Sequence, residues 1–294
     1  MTAKILDGRK LSREIREELK GRINELKEKG ITPGLGGLLV GEDPGSVTYV
    51  GLKSKACEEV GLREEIVRLP EDVTEEDLLK SIAKLNQDPK IHGIFIQLPL
   101  PGHLSEEKAL ASILPQKDVD GFHPLSVGKA WLGQPTFFPA VVVAIQEMLT
   151  RYGYDPEGKE AVIVNVDNMV GKPLASLLVQ DKDKARANVT LCYPTTPDLA
   201  SYTRRADILV VSVNKPKFIT ADMVKEGALV MDFGSNWVED PTTGKRKTVG
   251  DVDFEAVKEK AEAITPVPGG IGPMLVTMLL ANTVWAAEMQ SSRK

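Results

Sequence analysis

Leu11, Ile15, Leu19, Ile23 and Leu26 recur at steps of three and four among Lys, Arg and Glu, and this spacing predicts an amphipathic helix over residues 9 to 29, ended by Gly30. Leu35 to Val40 reads as a buried strand. Gly41-Glu42-Asp43-Pro44-Gly45 is turn chemistry, after which a second helix is expected from Ser46 to Val60. The alternation continues with a strand from Glu65 to Leu69, a helix from Thr74 to Asn86 with Thr74 and Asp77 in capping-box order, and a short apolar strand from Gly93 to Gln97.

After a helix expected near Phe138 to Tyr152, the pattern restarts. It predicts a strand from Ala161 to Val166, a helix from Gly171, and strands at Val189 to Cys192, Ile208 to Val213 and Leu229 to Phe233. Pro273 to Met289 lacks strand formers in series and predicts a long C-terminal helix that packs back on the first domain. Alternating strands and helices imply mostly parallel sheets, so the fold class is α/β with two domains. One is an N-terminal substrate domain closed by the C-terminal helix, over residues 1–136 with 271–294. The other is a Rossmann-like dinucleotide-type domain over 137–270.

Composition narrows the function classes. The 294 residues carry a net charge of -5, with no basic excess to neutralise a phosphate backbone, so a small molecule is a better expected partner than nucleic acid. Cys57 and Cys192 are too few for a disulfide framework or thiolate cluster, and His92, His103 and His123 lack zinc-ligand spacing, so no metal is expected. No apolar run reaches the ~20 residues that span a bilayer, and the opening residues lack a signal-peptide core. A cytoplasmic protein is the expectation.

Three segments carry candidate chemistry. Tyr49 and Lys53, four apart, share a helical face, where an aromatic plate and an amine could meet one ligand; the plain alternative is an exposed face with a snorkelling lysine. Gln97 stands at the carboxyl end of a strand stopped by Pro99 and Pro101, where α/β sheets bind ligands, or it merely caps that strand. Asp118-Val119-Asp120-Gly121 is a polar turn whose Asp120 could hold a ring N–H, or be an ordinary turn carboxylate.

Together, Tyr49, Lys53, Gln97, the Asp118-Val119-Asp120-Gly121 turn and Pro266-Val267-Pro268-Gly269-Gly270-Ile271-Gly272-Pro273 closely resemble the signatures of the bifunctional methylenetetrahydrofolate dehydrogenase/methenyltetrahydrofolate cyclohydrolase family. They run in family order, from Ile5-Leu6-Asp7-Gly8 to Val249-Gly250-Asp251-Val252 and beyond. The resemblance implies that a tetrahydrofolate derivative stacks on Tyr49, is anchored by Asp120, and meets Lys53, which Gln97 hydrogen-bonds. It also places Ser46, Pro268, Gly269 and Gly272 at the substrate, and implies a homodimer through the second domain.

The implied activities are hydrolysis of 5,10-methenyltetrahydrofolate to 10-formyltetrahydrofolate and NAD(P)-dependent oxidation of 5,10-methylenetetrahydrofolate. Alternatives are a hydrolase only, or a non-catalytic folate-binding protein, against which the intact Tyr49, Lys53, Gln97 and Asp120 set speaks. Asn165, Val166, Asp167, Gly171 and Ser235 are the expected cofactor residues. Asn165-Val166-Asp167 departs from the family's Gly-Arg/Ala-Ser loop, and Asn214, Tyr193-Pro194, Leu275 and the 139–144 segment depart on the same side. The expectation is a degraded NADP site, with Asp167 either favouring NAD or only capping a helix.

Overall fold

A computed structural model describes residues 2–239, Gly244 and 246–292. In chain order the elements are β1 (Lys4–Ile5), α1 (Gly8–Glu28), β2 (Gly34–Val40), α2 (Pro44–Val60), β3 (Arg63–Leu69), α3 (Glu75–Gln87), β4 (Gly93–Ile96), α4 (Glu106–Ala111), α5 (Pro124–Trp131) and α6 (Ala140–Tyr152). The second half continues with β5 (Glu160–Val164), α7 (Gly171–Leu178), β6 (Asn188–Cys192), α8 (Leu199–Thr203), β7 (Ile208–Val211), β8 (Leu229–Asp232), β9 (Asn236–Glu239), β10 (Arg246–Val249), α9 (Phe254–Val257), β11 (Ala263–Ile264) and α10 (Met274–Ser291). The chain divides into two compact units, residues 13–140 with 276–294 and residues 1–12 with 141–275.

The first unit holds a parallel three-stranded sheet in the order β3-β2-β4. Strand β2 is central and wholly buried, which is why it reads as a continuous apolar run rather than an alternating one. One sheet face packs Leu38, Val40, Ile94 and Ile96 against Leu78, Ile82 and Leu85 of α3. Segment 117–119 runs beside β4, with the Ile94 N–H donating to the Lys117 carbonyl at 2.7 Å. Asn282 of α10 fixes the same segment by donating to the Val119 carbonyl at 2.8 Å. The C-terminal helix therefore closes this unit as expected.

The second unit is a six-stranded parallel sheet in the order β1-β11-β8-β7-β5-β6. Its middle strands are buried apolar runs, and Val162, Val164, Leu209, Val211, Val230 and Ile264 share one core with Ala3. One expectation needs correction here. Residues 1–12 belong to this unit and not to the substrate domain, because β1 pairs in parallel with β11 through Lys4 with Ala263 and Ile5 with Ile264. A two-residue strand leaves too short an alternation to read from sequence.

Strand ends also moved. Val166 lies outside β5, which stops at Val164, because the Asn165 side chain turns the backbone there. Helix α2 begins at Pro44, two residues before Ser46, with the Asp43 carboxylate capping the Ser46 N–H at 2.8 Å. The hairpin of β9 and β10 was not foreseen.

Candidate functional site

The first unit assembles an amine, an amide and a carboxylate. Strand alternation, continued one residue past β4 by the Gln97 N–H donating to the Leu38 carbonyl, places Phe95 and Gln97 on one face, and α2 runs over that face with Lys53 pointing down. Lys53 Nζ donates to Gln97 Oε1 at 3.0 Å and lies 3.9 Å from the Phe95 ring centroid. Gln97 in turn donates to the Leu98 carbonyl at 2.9 Å, which fixes which end of the amide faces the amine. Gly37 is required beneath this stack, since a Cβ there would lie 2.5 Å from the Phe95 ring.

Electrostatics make Lys53 unusual. Burial removes water from its ammonium and lowers its pKa, while the negative charge of Asp120 is the largest influence in the other direction. Burial pushes Asp120 up to about 6, opposed by the charge of Lys53. Asp118 is fully buried and accepts from Ser126 Oγ at 2.6 Å and from the His123 N–H at 2.9 Å, yet burial still raises it to about 6. Asp118 thus folds the turn that presents Asp120. Tyr49, one helical turn before Lys53, exposes 55% of its surface, an aromatic face open to a ligand. Ser46 is buried in the first turn of α2 and serves its cap.

Pro268, Gly269 and Gly272 lie in the other unit, in the loop after β11. There the Gly269 carbonyl accepts from the Gly8 and Arg9 N–H groups at 2.9 and 3.2 Å. A Cβ on Gly8 would fall 1.7 Å from the Gly270 oxygen. Two motifs more than 250 residues apart, Ile5-Leu6-Asp7-Gly8 and the Pro-Gly-Gly loop, are therefore one structural feature of that unit.

The carboxyl ends of β5, β6, β7 and β8 lead into loops at one edge of the parallel sheet, the edge at which such sheets take ligands. In the first loop Asn165 Oδ1 accepts from the Asp167 and Gly171 N–H groups, both at 2.9 Å. Asp167 Oδ1 accepts from the Met169 and Val170 N–H groups at 2.9 and 2.7 Å, and its other oxygen accepts from Asn165 Nδ2. Gly171 packs so closely on Asn165 that a Cβ would meet its carbonyl oxygen at 2.1 Å. Asp167 thus anchors the turn at 168–170 with both oxygens engaged, whereas the N-cap position of α7 is Val170, with no side-chain cap, so the expectation of a helix cap is corrected to a turn anchor one step earlier. Asn214 has φ +54, a left-handed conformation that glycine adopts freely and asparagine tolerates better than other residues. Ser235 is exposed in the turn from β8 to β9.

Sequence reasoning missed the residues that tie these loops together. Asp251 is fully buried and accepts from the Val213, Asn214 and Lys215 N–H groups at 2.6, 3.0 and 2.8 Å and from Asn236 Nδ2 at 2.8 Å. Asp232 accepts from the Gly234, Asp251 and Val252 N–H groups. The two carboxylates interlock through glycines: a Cβ on Gly234 would strike the Asp251 carboxylate at 2.2 Å, and one on Gly250 the Asp232 carboxylate at 1.9 Å. The Val249-Gly250-Asp251-Val252 motif was the available signal. Phe95, two residues before Gln97, could have been found from strand alternation.

These two units define a two-domain α/β protein, one part carrying a half-buried lysine, glutamine and aspartate set and the other a six-stranded parallel sheet of the dinucleotide-binding type. A model of the tetrahydrofolate dehydrogenase/cyclohydrolase catalytic domain matches residues 6–120, and one of the NAD(P)-binding domain of the same proteins matches 139–291. The bifunctional protein FolD of Dehalococcoides mccartyi is 52% identical over 98% of both chains, and that of Moorella thermoacetica is 50% identical over 98% of this chain and 99% of its own. The crystal structure of the bifunctional enzyme FolD from Campylobacter jejuni superposes with a TM-score of 0.93 at 46% identity, covering 98% of this chain and 99% of that one. That of Trypanosoma brucei FolD, complexed with NADP cofactor and inhibitor, gives 0.91 at 36% identity over the whole of both chains. The chain belongs to the tetrahydrofolate dehydrogenase/cyclohydrolase family.

The expectation of a degraded NADP site is corrected by these findings. The NAD(P)-binding-domain match runs through residues 165–167 and 214. Asn165 and Asp167 rebuild the strand-to-helix turn with side-chain acceptors where the family pattern uses other residues, so the departures change how the loop is held and do not remove it.

Proposed function

We propose that the chain hydrolyses 5,10-methenyltetrahydrofolate to 10-formyltetrahydrofolate at Lys53, Gln97 and Asp120, and oxidises 5,10-methylenetetrahydrofolate with NAD(P). The observation that carries the hydrolytic half is the Lys53 to Gln97 hydrogen bond of 3.0 Å over the Phe95 ring. In hydrolysis a water oxygen bonds to the bridging methenyl carbon, the bond from that carbon to N5 breaks, and one proton is released overall. The substrate is already cationic and electrophilic, so the protein must orient it and move protons. A desolvated amine of lowered pKa exchanges a proton more readily near neutral pH than an ordinary lysine does. Gln97 aims the amine, Asp120 holds the pteridine edge, and Tyr49 supplies the stacking face.

For oxidation, NAD(P) when bound would supply the acceptor for the hydride that leaves the methylene carbon. The strand-to-helix loop at 165–171 is the part of this chain placed for the NAD(P) phosphates, and the Asp167, Met169, Val170 and Gly171 N–H groups in it already donate to the Asn165 and Asp167 side chains. Ser235 and the Asp251-held loop at 213–215 lie at the same sheet edge. The buried, unpaired Cys57 and Cys192 support a reducing, cytoplasmic setting. Self-association through the NAD(P)-binding unit rests on the family resemblance, and sedimentation would measure it.

The test is Lys53→Met, which keeps length and removes the amine. Hydrolysis, followed as loss of the methenyl absorbance, is expected to fall to the spontaneous rate with circular dichroism unchanged. Retained hydrolysis refutes the reading.

A further inference from the structure

Behind Lys53 the sheet carries a second acidic group with no assigned work. A Cβ on Gly37 would touch the Phe95 ring at 2.5 Å and Ile66 Cδ1 at 2.6 Å, so both side chains cover the sheet face over which Lys53 lies. Gly37 pairs with Ile66 and Leu35 with Glu64. Glu64 stands two residues before Ile66 on β3, so alternation puts it on that same face. Its Oε1 is buried and has no hydrogen-bond partner. Neighbouring Arg63 pairs instead with Glu65, and Arg16 is committed to Glu59 and Thr277.

Helix α2 returns over this face and ends in the Gly61 cap before β3 begins. Cys57, one turn beyond Lys53 and fully buried, lies within reach of the charges of both Glu64 and Lys53. Burial, and next the charge of Glu64, push the Cys57 thiol up to about 12, so at neutral pH it is uncharged. The acidic groups acting on Lys53 are Asp120, Cys57 and Glu64. With the thiol neutral, two carboxylates remain: Asp120 from the turn between α4 and α5, and Glu64 from β3.

We propose that Glu64 is a positioning residue for the hydrolytic reaction, a half-buried side chain with one buried, unpartnered carboxylate oxygen on the sheet face under α2, whose negative charge, with that of Asp120, supports the ammonium form of Lys53. The assignment rests on the reading of Lys53 as the essential amine. Desolvation pulls the amine toward neutrality, and Glu64 opposes it through an interior that screens charge weakly. Glu64 acts through charge, since the hydrogen bond of the amine goes to Gln97. It sets how firmly Lys53 holds its proton.

The experiment titrates Lys53 by NMR, with the ε-carbon labelled, in wild type, Glu64→Gln and Glu64→Asp, alongside the pH profile of hydrolysis. In Glu64→Gln the Lys53 midpoint is expected to fall by about one pH unit, the effect of a unit charge at roughly 10 Å through an effective dielectric near 20. Glu64→Asp keeps the charge and should titrate near wild type. The lysine-dependent limb of the pH profile should follow the midpoint. An unmoved midpoint in Glu64→Gln, or an equal fall in Glu64→Asp, overturns the proposal. Should Glu64→Gln not fold, Glu64→Ala carries the same expectation. A midpoint that falls while the pH profile stays fixed leaves the coupling standing and overturns the reading of Lys53 as the proton carrier.

Discussion

Replacing Asp251 by asparagine keeps the shape of the side chain but turns one acceptor oxygen into a donor. In the native protein one carboxylate oxygen accepts from the Val213 and Asn214 N–H groups, and the other from the Lys215 N–H and Asn236 Nδ2. Whichever way the new amide faces, two donors lose their acceptor. A buried donor left unmade costs about 1–3 kcal/mol, so the pair sums to roughly 2–6 kcal/mol. Asn214 and Lys215 lie at the surface, where water reaches them, and that places the cost near 2 kcal/mol. Hydrogen exchange at the amides of Val213, Asn214 and Lys215 reads this directly, and protection should fall about thirtyfold either at Val213 and Asn214 or at Lys215, according to which way the new amide faces. NAD(P) affinity, measured by calorimetry, should drop with it. Hydrolysis is the internal control, because Lys53, Gln97 and Asp120 all belong to the other unit. Protection at the three amides that stays within about threefold of wild type would refute the reasoning, since 2 kcal/mol cannot hide in that margin.

Gly37→Val should lower hydrolysis at least tenfold and cost about 1–3 kcal/mol in urea unfolding, since a side chain there collides with Phe95 and Ile66 under Lys53; wild-type rates would disprove it. Gly171→Ala places a methyl 2.1 Å from the Asn165 oxygen and should weaken NAD(P) binding while sparing hydrolysis, checked by calorimetry and the hydrolysis assay on one preparation. Burial holds Asp118 at about 6 in the folded state against 3.8 as the ordinary value, so between them the folded state binds a proton that the unfolded chain has released. That contribution, about 3 kcal/mol, is full below pH 3.8 and is lost as pH rises through 6. A carbon-13 titration of the Asp118 carboxyl with a midpoint near 4 would contradict it.

The alternation of strands and helices was legible because each parallel strand is buried on both faces and each helix on one, and burial writes a period of 2 or 3.6, or an apolar run, into the residues. Lys53 and Tyr49 were legible for the same reason, being four apart on one helix. Asp167 read as a helix cap or a ribose ligand, whereas it anchors the turn before α7 with both oxygens spent, so its loop looked broken when the structure holds it firmly. What the chain alone determined is the local pattern: which segments are strands, which are helices, and which turns carry a glycine or a carboxylate. The tertiary structure decided which of these meet. It put β1 beside β11, Gly8 against the Gly270 carbonyl, Asp251 under three amides of a loop 36 residues away, and Glu64 on the face beneath Lys53. Periodicity reports how much of a side chain water can reach, and it is silent on which distant backbone fills the space, because that is set by sheet order and by close approaches that only the folded chain makes.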